Sequence, residues 1–253
     1  MVTDIHHVGI VVESLARAYR FWRDTVGLPV VREAIIADQG VRVSLLAAGA
    51  SEIELLEPIG KDTGVGRFLA KHGEGLHHLC FLTPAIDTDL GALRARNVPL
   101  IDERPRDGLA GRIAFLSPKA CHGVLVELAT PVHAEPLPDS PVRFKRIVIG
   151  CRDPQETATL YQDLFGLPEV EVNGGPRMML GWAGGGTVLN VPAAEVGGMM
   201  GMVALSMVAP DMSPLIERLE RSNVAMLVGA GEITVEPQSS HGVHLHISRY
   251  HFP

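Results

Sequence analysis

Two histidine doublets and a few carboxylates set inside apolar runs are the groups of this chain with chemistry to offer. His6 and His7 stand in "IHHVGIVV", and His77 and His78 in "GLHHLCFL". Glu52, Glu54 and Glu57 stand in "SEIELLEP", and Glu127 lies between Val126 and Leu128 in "GVLVELA". All four runs are rich in β-formers, in which successive side chains point to opposite faces. Alternation puts His7 with Gly9 and Val11, and His6 with Val8 and Ile10 on the other side; it groups His78 with Cys80 and separates them from His77, Leu79 and Phe81. A carboxylate in such a run is costly if buried unpaired, so it should be exposed, paired or ligated. If the units carrying these strands pack side by side, His7, Glu54, His78 and Glu127 meet in one cleft and offer two imidazoles and two carboxylates to a divalent metal. Spacing alone leaves two alternatives open: packed or solvent-facing histidines, and glutamates on a solvated strand and its exit turn.

The elements that would position these groups repeat along the chain. "VESLARAYRFWRDTVGLPVV" from Val12 and "CRDPQETATLYQDLFGLPEV" from Cys151 share Asp24/Asp163, Gly27/Gly166, Leu28/Leu167 and Pro29/Pro168 at an offset of 139 residues, the mark of a duplicated unit. In the first copy Ser14 is the expected N-cap of a helix with Leu15, Tyr19, Trp22 and Val26 on one face, and Gly27 is its stop. Strands over 30–36, 41–47 and 51–56 follow. The order restarts at Gly75 with a strand and a helix over 86–96, which turns Ile86, Leu90 and Leu93 inward and stops at Asn97, and then the strands of "RIAFLSP" and "GVLVELA". A third unit opens at "FKRIVIGC", its helix capped by Asp153 with Pro154 in the first turn. A fourth opens at "GMVALSMV", its helix led by Ser213 and Pro214, with Leu215 and Leu219 inward and Asn223 as stop. The expected fold is α+β: four βαβββ modules in two tandem pairs, 1–130 and 143–253, with a Pro-rich linker at 131–142.

Composition narrows the partners. The 253 residues are 46% hydrophobic and 20% charged, with a net charge of −7 and no run of Lys or Arg, which argues against nucleic acid and an anionic membrane surface. No 18-residue apolar stretch and no basic-then-apolar leader is present, so a cytoplasmic protein is expected. Cys80, Cys121 and Cys151 have no metal-like spacing and read as small buried hydrophobes.

The strings "HHVGIVV", "DQGVRVSLL", "IELLEP", "FLAKHGEGLHHLCF", "GRIAFLSP" and "HGVLVELA", in this order from Ile5 to about Thr130, closely resemble the methylmalonyl-CoA epimerases of the vicinal oxygen chelate superfamily, which also holds glyoxalase I and the extradiol dioxygenases. The remainder resembles only the superfamily's module pattern. The resemblance implies two tandem vicinal-oxygen-chelate domains, the first a U-shaped cleft holding one divalent metal ion (Co, Zn, Mn, Ni or Mg) on His7, Glu54, His78 and Glu127. It also implies a small acyl-CoA as substrate, whose α-proton is removed and returned on the other face through a metal-stabilised enolate. Glu127 is the leading base and Glu54 the second; Glu54 stands where some epimerases carry Gln, and Val43 where some carry a carboxylate base. Lys61, Arg67, Lys71, Arg106, Arg112 and Lys119 are scattered candidates for a CoA phosphate. No other cofactor is expected, and pairing into a homodimer stays open. The alternatives within the superfamily are a glyoxalase I-like lyase, an extradiol-type dioxygenase and a metal-free, small-molecule-sequestering protein of the antibiotic-resistance type.

Aligned on the repeat, the second pair places Arg146 at His7, Ala204 at His78, His246 at Glu127 and Val188 near Glu54, so no equivalent metal set is expected there. That half reads as a structural partner in the place of a second subunit. His244 and His246, near His241, are expected to be packed or solvated. Met179, Met199, Met200 and Met202 line a small-molecule pocket or pack the core.

Overall fold

The computed structural model describes residues 1–132, 136–170, 179–182 and 186–249. Each of the four expected modules appears as strand, helix and three strands. The first runs β1 (Asp4–Val11), α1 (Leu15–Tyr19, continued as a π-helical stretch over Arg20–Thr25), β2 (Val30–Ile36), β3 (Val41–Ala48) and β4 (Ser51–Pro58). An intervening helix α2 (Gly64–His72) leads to the second: β5 (Gly75–Leu82), α3 (Ile86–Ala95), β6 (Arg106–Gly108), β7 (Gly111–Leu116) and β8 (Leu125–Thr130). The third is β9 (Arg143–Cys151), α4 (Pro154–Phe165), β10 (Glu169–Val170), β11 (Met179–Trp182) and β12 (Gly186–Pro192); the fourth is β13 (Gly201–Val208), α5 (Ser213–Arg221), β14 (Met226–Val228), β15 (Glu232–Val235) and β16 (Leu245–Ser248). Each half forms one eight-stranded sheet, ordered β2-β3-β4-β1-β5-β8-β7-β6 and β10-β11-β12-β9-β13-β16-β15-β14. In each, the opening strands of two modules pair antiparallel at the centre, and the closing strand of each module lies parallel to its own opening strand.

The central strands carry bulges at corresponding places. β1 pairs Ile5 with Phe81 and then His7 with Cys80, leaving His6 as the extra residue; β5 pairs His78 with Gly9 and then Leu76 with Ile10, leaving His77. The second sheet does the same at Lys145 and Val203. An extra residue resets the side-chain alternation, so Ile5, Val8 and Ile10 all reach the core while His7, Gly9 and Val11 face the opposite side.

Local chemistry accounts for most helix boundaries. Asp153 accepts from the amides of Gln155 and Glu156, and Gly166 ends α4 in the left-handed region at φ 72°. Asn97 and Asn223 hold left-handed φ of 56° and 52° after α3 and α5. Two expected caps differ. Ser14 makes no side-chain cap; the amide of Leu15 instead donates to Glu57 Oε2 at 2.7 Å. Ser213 lies inside α5, and Asp211 Oδ1 accepts from its amide. Of the expected inward face of the first helix, Leu15, Trp22 and Val26 are buried and Tyr19 is half-buried; the π-helical turn adds a residue and brings Ala18, Phe21 and Thr25 inward as well. Helix α2 was not expected from the sequence; Thr63 caps it by accepting from the amide of Gly66.

One hydrophobic core runs through both halves, from Val8, Trp22, Leu79 and Phe81 to Ile147, Tyr161, Phe165 and Leu205. Phe81 and Phe165 meet at 5.1 Å between ring centroids. His122 and His241, equivalent residues with left-handed φ of 49° and 57°, each reach into the other half, to Thr157 Oγ1 at 2.9 Å and Glu74 at 3.0 Å. Arg218 of α5 donates to the carbonyls of Thr25 and Val26. In the stretch expected as linker, Ser140 accepts from the amide of Gly49 and Val142 is fully buried; residues 133–135 lie outside those described.

Candidate metal centre

The sheet order of the first half brings the four strands of interest together as β4-β1-β5-β8. Gly9 of β1 stands opposite both Glu54 of β4 and His78 of β5, and Cys80 of β5 stands opposite Glu127 of β8. The lack of a side chain at Gly9 makes room: a Cβ there would sit 2.2 Å from His78 Cε1.

His7, Glu54, His78 and Glu127 converge and are all buried. His7 Nε2 lies 3.0 Å from His78 Nε2. Glu127 Oε2 lies 3.3 Å from His7 Nε2 and 3.0 Å from His78 Nε2, and Glu54 Oε2 lies 3.5 Å and 3.2 Å from the same atoms. Donors bound to one ion at about 2.1 Å are separated from each other by roughly 3.0–3.4 Å, so this set fits a small divalent cation by spacing and by its charge of two carboxylates. The alternatives of solvated glutamates and freely packed histidines do not describe this arrangement.

The electrostatics express the same demand for positive charge. Burial pushes the His78 imidazole down, but its bonds to Glu127 and Glu54 outweigh that and raise it to about 9. Burial pushes the Glu127 carboxyl up, while the His7 and His78 bonds outweigh that and hold it well below the usual range. Beside His7 and His78, burial and the adjacent ring push His6 and His77 down to about 3, leaving both neutral.

Glu54, His78 and Glu127 line a cavity of about 610 Å³, whose wall includes Val43, Leu56, Leu109, Ile113 and Phe115. Phe115 meets His78 edge to face at 5.3 Å between centroids. Val43, Val11, Val41 and Leu56 form an apolar patch backed by Val65, Phe68 and Leu69 of α2. Of the six scattered cations, Arg106 alone lines this cavity, held by Asp102 Oδ1 at 3.2 Å and lying over the Phe115 ring at 5.5 Å. Arg112 instead pairs with Asp87. His77, which strict alternation would turn away, also lines the cavity because it is the bulge residue.

In the second half the register corrects one expected match: Leu189, rather than Val188, pairs with Val148 as Glu54 pairs with Gly9. His246 bonds Thr234 Oγ1 at 3.2 Å and His244 is exposed. The methionines do not share a pocket: Met179 is buried and Met202 packs against the core, whereas Met199 and Met200 are exposed.

Residues 6–115 match the Glyoxalase/Bleomycin resistance protein/Dioxygenase superfamily. The ethylmalonyl-CoA/methylmalonyl-CoA epimerase of Cereibacter sphaeroides is 32% identical over 131 residues, which is 51% of this chain and 98% of that protein. The mitochondrial methylmalonyl-CoA epimerase of Homo sapiens is 33% identical over 126 residues, 49% of this chain and 72% of that protein. A structure of a Streptomyces coelicolor methylmalonyl-CoA epimerase variant in complex with 2-nitronate-propionyl-CoA is 41% identical, matches 53% of this chain and 100% of its own, and superposes with a TM-score of 0.51.

Proposed function

Because this chain belongs to the glyoxalase/bleomycin resistance protein/dioxygenase superfamily and is an enzyme of its epimerase type, we propose that it epimerises a small acyl-CoA of the methylmalonyl class at the cleft holding His7, Glu54, His78 and Glu127. The observation that carries this reading is the convergence of two buried imidazoles and two buried carboxylates beside a mostly apolar cavity. His7, Glu54, His78 and Glu127 would hold a divalent ion, which would supply Lewis-acid stabilisation of negative charge developing on substrate oxygens.

The chain's own residues supply the rest. Glu127 and Glu54 belong to the candidate ligand set themselves, and as its two carboxylates they are the groups to take the α-proton and return it, Glu127 as the leading base and Glu54 as the second. Val43 places no base at its own point of the wall, and Asp38 and His77 are the further titratable side chains lining the cavity besides Asp102. Asp102 is committed elsewhere, accepting from the amide of Phe115 and from Arg106 Nε. Phe115, Leu56 and Leu109 give the cavity apolar wall beside the two carboxylates. Arg106 is the one Lys or Arg among the described lining residues and gives an anionic acyl group a counter-charge.

The deciding experiment pairs metal content with proton exchange. Protein purified without chelator is expected to carry about one divalent ion per chain, to lose it on His78→Ala, and to exchange the α-proton of methylmalonyl-CoA with deuterated water only when loaded. Bound metal without exchange would overturn the substrate assignment, and an ion-free wild-type protein that no added metal activates would overturn the metal reading.

A further inference from the structure

Each proposed ligand histidine has another histidine on its far nitrogen. His7 Nδ1 lies 2.9 Å from His6 Nδ1, and His78 Nδ1 lies 3.0 Å from His77 Nδ1, with the rings edge to face in both pairs. The Nε2 atoms of His7 and His78 face the two carboxylates. An imidazole that gives its Nε2 lone pair to a cation carries its proton on Nδ1, and on rings as buried as those of His7 and His78 that proton needs an acceptor. We propose that His6 and His77 are positioning residues that accept the Nδ1 protons of His7 and His78, fixing the tautomer and ring plane that leave both Nε2 atoms free for a divalent cation. The inference rests on the reading of His7, Glu54, His78 and Glu127 as ligands.

The second half supplies an internal control. Its bulges fall at the same positions but hold Lys145 and Val203, beside Arg146 and Ala204. The bulge therefore does not itself require histidine; histidine occupies it in both modules where the next, cleft-facing residue is histidine. A competing arrangement exists for one pair only. Glu52 Oε2 lies 3.5 Å from His6 Nδ1, and a proton on that nitrogen directed at Glu52 would force the opposite tautomer on His7. The shorter distance, 2.9 Å, is to His7. His77 is held by Phe68, whose ring meets it edge to face at 4.8 Å.

The test is zinc affinity of the full chain, stripped of metal and titrated against a chromophoric chelator. His6→Ala and His77→Ala are expected to bind zinc roughly 10–100-fold more weakly than wild type. His6→Asn and His77→Asn, whose amide oxygen replaces the acceptor, are expected to bind more tightly than the alanine variants. Nitrogen-correlated NMR of zinc-loaded wild type is expected to show His7 and His78 protonated at Nδ1, a readout that stands even if a variant fails to fold. Alanine variants with wild-type affinity, or a proton on His6 Nδ1 directed at Glu52, would overturn the inference alone. A wild-type protein that binds no zinc would overturn it together with the ligand reading.

Discussion

At the scale of single residues, Gly9 is the position on which the candidate centre turns. It faces Glu54 on one neighbouring strand and His78 on the other, and any side chain there meets the His78 ring. Gly9→Ala is therefore expected to push that ring aside and lower metal affinity at least about 10-fold, while the far-ultraviolet circular dichroism stays as in wild type. Calorimetric titration of the stripped protein measures the first. The four candidate ligands were legible from strand parity because parity holds between neighbouring residues on the cleft side of each bulge. His77 was not, since a bulge depends on how two strands pair and leaves no mark in the run "GLHHLCFL". Arg106 was indistinguishable from five other cations because its distinction lies in Phe115 and Asp102, neither of which is next to it in sequence.

Among elements, the first helix shows how a distant group overrules a local signal. Ser14 is the residue type that caps, yet the orphan amide of Leu15 goes to Glu57, the last acid of β4. Glu57→Ala is expected to destabilise the chain by about 1 kcal/mol, read as a lower urea midpoint at unchanged slope, and Ser14→Ala by much less. The capping acid sits 42 residues away, so no window of sequence displays the pair. Helix α2 carries no clear signal in the sequence for a different reason. Gly64 and Gly66 are poor helix formers, but Gly66 is needed because a Cβ there would meet the Gly60 carbonyl at 2.2 Å. The bounds of β2, β3 and β4, by contrast, are legible to within two residues, since they are continuous runs bounded by glycine, proline and turn residues.

Across the whole molecule, the shared core and the paired histidine contacts make the two halves one packed body. Duplication was plain in the sequence, but their docking was not, because it joins Phe81 to Phe165 and Glu74 to His241 across long stretches of chain. Burial raises the Glu74 carboxyl, but the His241 bond and the Glu13 amide outweigh this and hold it below its ordinary 4.5. A group depressed in the folded state contributes stability above its unfolded pKa and loses it as pH falls through the folded value. Wild type is thus expected to resist urea better than Glu74→Gln at pH 7, with the difference closing as the pH is lowered below about 4. Paired urea titrations at the two pH values measure it.

The segment that joins the halves is stitched down at Gly49 and buries Val142. Its consequence is kinetic as much as structural. Two separate subunits would meet at a frequency set by their concentration, whereas covalent joining gives the second half a fixed effective concentration at the back of the first. The second half is therefore held against the first at any dilution.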